Sequence, residues 1–314
     1  MLRAALVPTG LRRFLLRDCH EPRQSSLGRV RSGAEIVTRL PESLRAVARN
    51  AIWSYGEATA RFRVLPDFLI AGTQRGGTSA LFSYLRRHPG ITGPAWKEVS
   101  YFDRHYARGP AWYRGNFPTA RGARGRLVGE ASPNTLSHPL AAERTAALLP
   151  DARLITLLRD PVDRAFSHYQ HERALGREPL SFEQALAVED ERLRGELERM
   201  RADRAYFSDA WWNHAYFARG LYADQLERWI AAFPREGLLI LASDELFADP
   251  GGTYARVLEF LGAEPYELDS YPAVFSREYG PMSPETRTEL AQRYAEPNRR
   301  LYRLLGRELG WTVP

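Results

Sequence analysis

The chain has 314 residues, 44% of them hydrophobic, which is enough to fill one large core or two small ones. Its net charge is +6, yet 44 basic residues face 38 acidic ones, so the surface is mixed and no basic block suggests a nucleic-acid tail. A single cysteine, Cys19, excludes an internal disulfide or a cysteine-built metal site, and no apolar run approaches the roughly 18 residues of a membrane-spanning helix.

Residues 1–64 read as an N-terminal arm, with one domain from 65 to 314. The first 17 residues are arginine-rich and lack acids, while Pro8 and Gly10 interrupt any secretory apolar segment, so the expected setting is a soluble, reducing compartment, the cytoplasm. From Leu40 to Arg63, Leu44, Val47, Ala51, Ile52 and Tyr55 fall at helical intervals among arginines. This predicts an amphipathic helix that packs on the core or rests on an acidic surface such as a membrane. Pro66 and Asp67 then punctuate the start of the first core strand.

Phe68–Ala71 is a short apolar run that suits a buried parallel strand. Gly72-Thr73-Gln74-Arg75-Gly76-Gly77-Thr78-Ser79 follows, and then Leu81, Phe82 and Leu85 at helical spacing. Strand, glycine-rich turn and helix make a phosphate cradle, because glycines let the backbone approach an anion and the first amides of the helix point at its oxygens. The spacing resembles a Walker A loop. Gly77 stands where its lysine should be, and the cation sits two positions earlier, at Arg75.

His88-Pro89-Gly90 ends that helix, and a segment with Lys97, Glu98, Ser100 and Asp103 follows. In a doubly wound sheet this segment is expected at the tip of the strand beside the first, facing the same crevice. Leu127–Pro133 reads as a short strand followed by a loop, 139–149 as a helix, and Leu154–Leu158 as a buried strand ending in Arg159. Asp160 fits an N-cap with Pro161 at the first helical position. Arg159 and Ser167, eight residues apart, can hold one phosphate between a strand tip and a helix; the plainer alternative pairs Arg159 with Asp163.

Ser181 and Gln184 match a capping box opening a surface helix that runs to Met200. An aromatic cluster from Tyr206 leads into a helix at Tyr222, Leu238–Leu241 is a further strand, and Asp249-Pro250 begins another helix. Ser283 caps a last helical region, broken at Pro297, that reaches Leu305. Strand and helix alternate, which predicts an α/β, P-loop-like three-layer fold with a central parallel sheet and flanking helices.

The motifs GTQRGGTSAL, KEVSYFD, LLRDPVDRAFSHYQH and ARGLYADQLERW, in that order, resemble the sulfotransferases that use 3′-phosphoadenosine 5′-phosphosulfate (PAPS). The likeness is to the heparan-sulfate N- and O-sulfotransferases and their bacterial relatives, and it runs from about Pro66 to Gly306, leaving the arm uncovered. It implies that Arg75, Gly76, Gly77, Thr78 and Ser79 bind the 5′-phosphosulfate, that Arg159 and Ser167 hold the 3′-phosphate, and that Arg277 in a final loop contributes to the nucleotide site. It implies Glu98 as general base, Arg75 as stabiliser of the leaving phosphate, and a saccharide hydroxyl or amine as acceptor. Gln74, Lys97, Asp103 and His171 are candidates for contact with the acceptor or for support behind it. Three features depart from the pattern: the loop cation is usually lysine, many O-sulfotransferases carry histidine where Ser100 stands, and no cysteine lies near the final loop.

Two other functions compete. A P-loop nucleotide kinase needs a Walker lysine and an acid for Mg²⁺, and no acidic pair suits that ion, so no metal is expected. A non-catalytic binder of nucleotides or acidic glycans has no use for Glu98, whose charge opposes anion binding.

Overall fold

The computed structural model describes residues 42–272 and 279–311. Its strands are β1 (Phe68–Ile70), β2 (Ile91–Thr92), β3 (Leu127–Ala131), β4 (Arg153–Leu158) and β5 (Leu238–Ala242). They form one parallel sheet in the order β2-β3-β1-β4-β5. The central strand, β1, is buried throughout, and Leu69 lies between Glu130 of β3 and Leu154 of β4. Connections leave β1 toward one edge and β4 toward the other, which places a crevice at their carboxyl ends.

The helices used below are α1 (Glu42–Ala58), α2 (Thr78–Leu85), α3 (Pro161–Ala174), α4 (Tyr222–Ala232), α5 (Pro250–Leu261) and α6 (Pro284–Leu305). One core cluster joins Phe68, Ile70, Ile155 and Leu157 of the sheet to Leu81 and Leu85 of α2 and Val257 and Leu258 of α5. A second joins Val162, Phe166 and Tyr169 of α3 to Leu290 and Tyr294 of α6 around Tyr216. Each such side chain contributes roughly 1.5–3 kcal/mol when fully buried, and together they fix α2 and α3, the helices that carry the candidate site residues Thr78, Ser79 and Ser167. The cap expected at α3 is present: Asp160 accepts from the Val162 and Asp163 amides, with Pro161 in the first turn.

Several expectations are corrected. The strand before the Lys97–Glu98 segment does not neighbour β1; β2 is an edge strand, and β3 lies between them. The single helix expected from 182 to 200 is three, Phe182–Ala187, Glu189–Arg192 and Glu196–Ala202. Gly195, in the left-handed region at φ 76°, starts the third after the chain turns. Nor is this a mere surface element, because Glu189 is buried and accepts from the amides of Phe217 and Ala218. Pro297 does not break α6, which continues through it.

The helix expected within 40–63 forms as α1, with Leu44 and Val47 exposed. The chain divides into two compact units between Trp53 and Ser54, and the residues of the site belong to the second. Among the described residues no helix is long and apolar enough to cross a membrane.

Candidate active site

The loop between β1 and α2 is anchored at its root and its crown. The Thr73 amide and hydroxyl both donate to the Leu157 carbonyl on β4, at 2.9 and 3.1 Å. The Gly76 amide donates to the Thr73 carbonyl, and the Ser243 hydroxyl, just past β5, donates to the Gly76 carbonyl at 2.7 Å. A Cβ on Gly76 would lie 2.3 Å from Thr73 Oγ1, so the turn closes only around glycine. Gly77, the N-cap of α2, sits at φ 91° and offers no capping side chain. The helix therefore begins with uncapped amides, the arrangement that favours an anion.

Arg75 takes φ 70°, a strained conformation for a non-glycine residue costing about 1–3 kcal/mol. The strain is met by two contacts: Arg75 Nε donates to Ser167 Oγ at 3.1 Å, and Arg159 Nη1 donates to the Arg75 carbonyl at 3.1 Å. The residues of the two candidate anion sites thus meet at Arg75. The alternative pairing is not adopted, since Asp163 binds Arg287 instead. Tyr222 at the start of α4 donates to the Arg159 carbonyl at 2.8 Å and helps fix that strand tip. Two guanidinium groups, a hydroxyl and a bare helix start suit a nucleotide with separated anionic groups.

The acidic side of the crevice hangs on the end of β3. The Glu98 amide donates to the Ala131 carbonyl at 3.2 Å, and the Ser100 amide to Ser132 Oγ at 3.0 Å. So Glu98 reaches the crevice by docking on β3 rather than from the strand that precedes it. Glu98 and Ser100 have φ of 63° and 50°; with Arg75 they are three of the four non-glycine residues at positive φ among those described. Clustering of such strain is typical of functional sites. The Glu98 carboxylate is exposed and accepts from Lys97 Nζ at 2.6 Å.

Beneath this loop lie two buried acids, Glu130, which the sequence did not single out, and Asp103, which it did. Glu130 is fully buried and accepts from Tyr113 at 2.5 Å and from Ser132 at 2.6 Å. Burial pushes its carboxyl up to about 7 against the pull of those two hydrogen bonds. Asp103 is also buried, and among the described residues neither oxygen finds a hydrogen-bond partner. Burial first, then the charges of Glu130 and Glu98, push it up to about 7 as well.

Arg219 joins the two sides. It is buried, and its Nη1 donates to Gln74 Oε1 at 2.9 Å and to the Trp212 carbonyl at 3.1 Å, while Nη2 donates to Asn134 Oδ1. Burial, then the charge of Arg164, lowers its guanidinium to about 9. Gln74 is thereby held from behind the loop. His171 lies one turn beyond Ser167 on α3, 3.9 Å from Glu172 Oε1, and Thr78 is buried while Ser79 is half-exposed at the start of α2. Arg277 falls outside the described residues. Among the described residues no group of three or more His, Cys, Asp or Glu is arranged to hold a metal ion.

Comparison with known proteins agrees with this geometry. The family described as "Sulfotransferase domain" matches residues 65–279. Heparan sulfate glucosamine 3-O-sulfotransferase 6 of Mus musculus is 31% identical over 294 residues, which is 86% of this chain and 79% of that protein. Bifunctional heparan sulfate N-deacetylase/N-sulfotransferase 3 of Homo sapiens is 31% identical over 296 residues, 84% of this chain but 32% of that protein, so the chain spans about a third of it. A crystal structure of a sulfotransferase from Alicyclobacillus acidocaldarius matches with a TM-score of 0.63 at 33% identity, covering 78% of this chain and 98% of that one. With a family match over most of its length and these identities, the chain belongs to the sulfotransferase family, the PAPS-dependent class its motifs resemble.

Proposed function

We propose that the protein moves the sulfuryl group of PAPS to a hydroxyl or amine of a saccharide-containing acceptor, with Glu98 as general base, within a catalytic domain from residue 65 to 314. The observation that carries this reading is the convergence of Arg75, Arg159 and Ser167 on the loop before α2. The relatives named above are heparan sulfate enzymes, which favours a glycan over a phenol or an alcohol.

Sulfuryl transfer is an in-line displacement in which charge builds on the leaving oxygen, so positioning and electrostatics supply most of the catalysis. The loop amides and Arg75 would hold the 5′-phosphate, and Arg159 with Ser167 the 3′-phosphate. The acceptor oxygen or nitrogen forms a bond to sulfur as the bond from sulfur to the 5′-phosphate oxygen breaks. The leaving adenosine 3′,5′-bisphosphate keeps that electron pair, and Glu98 takes the acceptor's proton. Arg75 faces the growing negative charge as a fixed cation, a role that kinases give to Mg²⁺. The reaction is therefore proposed to need no divalent metal. Arg277 is proposed for the nucleotide site, and Gln74, Lys97, Asp103 and His171 for the acceptor side or its support.

Glu98→Gln is the direct test of the base. It should lower single-turnover transfer by about 10²–10⁴-fold with nucleotide affinity nearly unchanged. A rate within about tenfold of wild type would remove Glu98 from that role. Weakened nucleotide binding would instead make the Lys97–Glu98 pair a structural clip.

A further inference from the structure

We propose that Glu130 is a positioning residue for transfer: acting through Ser132 and Tyr113, it fixes the backbone segment that carries the Glu98 carboxylate. This rests on the reading of Glu98 as general base.

Glu130 is fully buried in β3, whose other residues are Leu127, Val128, Gly129 and Ala131. Its two oxygens lead to neighbouring residues of one segment. Oε1 accepts from the Ser132 hydroxyl at 2.6 Å, and Ser132 Oγ accepts in turn from the Ser100 amide at 3.0 Å. Oε2 accepts from the Tyr113 hydroxyl at 2.5 Å, and the Tyr113 ring stacks on that of Tyr101 with centres 4.6 Å apart and planes 18° apart. One carboxylate thus holds residues 100 and 101 together, two and three positions beyond Glu98.

The segment needs such a hold. Glu98 and Ser100 sit at φ 63° and 50°, and non-glycine residues keep that conformation only where their surroundings over-determine it. The Glu98 amide has one bond of its own, to the Ala131 carbonyl at 3.2 Å, and the Ser100–Ser132 bond is the second anchor at this end of β3. A serine hydroxyl can turn, and it offers a lone pair to the Ser100 amide only while its proton points elsewhere. Glu130 takes that proton. As a carboxylate it accepts from both hydroxyls, whereas a glutamine amide would accept on one side and donate on the other. Both partners are neutral, and burying a carboxylate without a cation bonded to it is costly. A residue that merely filled the space behind the loop could be apolar. A core acid that only supports the fold would give the same bonds, but its loss would not act through Glu98.

The experiment is single-turnover transfer at pH 8 from labelled PAPS to heparan sulfate partly stripped of its N-sulfates, which offers both amines and hydroxyls. Burial pushes the Glu130 carboxyl up to about 7, so at this pH it is mostly ionised. The full chain is compared with Ser132→Ala and Glu130→Gln, each alone and each combined with Glu98→Gln. Alone, each should slow transfer by about 10–100-fold, the loss expected when a catalytic group is misplaced by about 1 Å, with affinity for adenosine 3′,5′-bisphosphate near wild type. Added to Glu98→Gln, each should cost less than about twofold more, because the position of an absent base no longer matters. Ser132→Ala removes a single oxygen atom and carries the test should Glu130→Gln fail to fold. Ser132→Ala with wild-type transfer, with weakened nucleotide binding, or with the same fold-loss whether or not Glu98 is present overturns the proposal. Glu98→Gln separates the two levels: if it alone is slow and the losses simply multiply, only the positioning role fails. If it alone stays within about tenfold of wild type, or wild type labels no acceptor, the reading of Glu98 as base fails and this proposal with it.

Discussion

Replacing Gly76 by alanine is the most local way to perturb the phosphate loop. The added methyl would lie 2.3 Å from Thr73 Oγ1, 3.0 Å from the Thr73 carbonyl and 3.2 Å from the Leu157 carbonyl. Thr73 can relieve the first contact only by turning its hydroxyl away, which breaks the buried bond to Leu157 and costs about 1–3 kcal/mol. The two carbonyls are backbone and move only with the loop, adding about 1–3 kcal/mol of overpacking. A total of roughly 2–6 kcal/mol corresponds, at about 2–4 °C per kcal/mol for a domain of this size, to a fall in Tm of about 4–24 °C. Because the Gly76 carbonyl also receives the Ser243 hydroxyl, the shift misaligns the amides at the start of α2. Loss of one charge-assisted hydrogen bond there would weaken adenosine 3′,5′-bisphosphate by about 10–150-fold. Gly237→Ala, whose nearest contact would be an ordinary 3.7 Å to Pro234, is the matched control and should leave both quantities near wild type. Scanning calorimetry and nucleotide titration on the two variants make the comparison. Gly76→Ala with unchanged Tm and affinity would refute the claim that this turn closes only around glycine.

Ser167→Ala should weaken adenosine 3′,5′-bisphosphate by roughly tenfold while leaving AMP, which lacks the 3′-phosphate, unaffected; an equal loss for both nucleotides would place Ser167 elsewhere. Transfer should persist in excess EDTA, and a requirement for added Mg²⁺ would revive the kinase reading. The raised carboxyls of Glu130 and Asp103 give a pH signature. Each keeps its proton in the folded state up to about 7, whereas the unfolded chain releases it near ~4. Between those values the unfolded state binds fewer protons, so their contribution is complete below about 4 and declines as pH rises toward 7. Glu130→Gln should flatten the fall in Tm from pH 5 to pH 8, by an amount on the order of a few kcal/mol in stability. An identical slope in the variant would show that Glu130 is already ionised in the fold.

Much of this was legible because the governing signals are local. The apolar runs at Phe68, Leu127, Leu154 and Leu238 each became a strand, since a short β-rich run bounded by turn residues has few alternatives. The Asp160-Pro161 cap and the Ser181–Gln184 capping box formed as read, because capping is decided within four residues. Strand order is not local. Nothing near Ile91 says that β2 pairs with β3 at the sheet edge rather than with β1, and Glu98 reaches the crevice only by docking on Ala131. Arg219 illustrates the same limit: its contacts to Gln74 and Asn134 join residues 145 and 85 positions apart. Glu130 did leave a trace, an acid inside an apolar strand, and that oddity marks a buried functional or supporting group. At Pro297 the local rule was overridden, as α6 continues through it with Tyr294 and Leu301 buried on either side.

The most direct measurement is transfer from PAPS labelled with ³⁵S in its sulfuryl group to a panel of glycans, glycolipids and phenols, in EDTA, by wild type and by Glu98→Gln. The predicted result is label in a saccharide acceptor, one adenosine 3′,5′-bisphosphate released per sulfuryl group moved, and a loss of about 10²–10⁴-fold in the variant. Wild-type protein that binds the nucleotide but labels no acceptor, or that labels one equally well without Glu98, would contradict it.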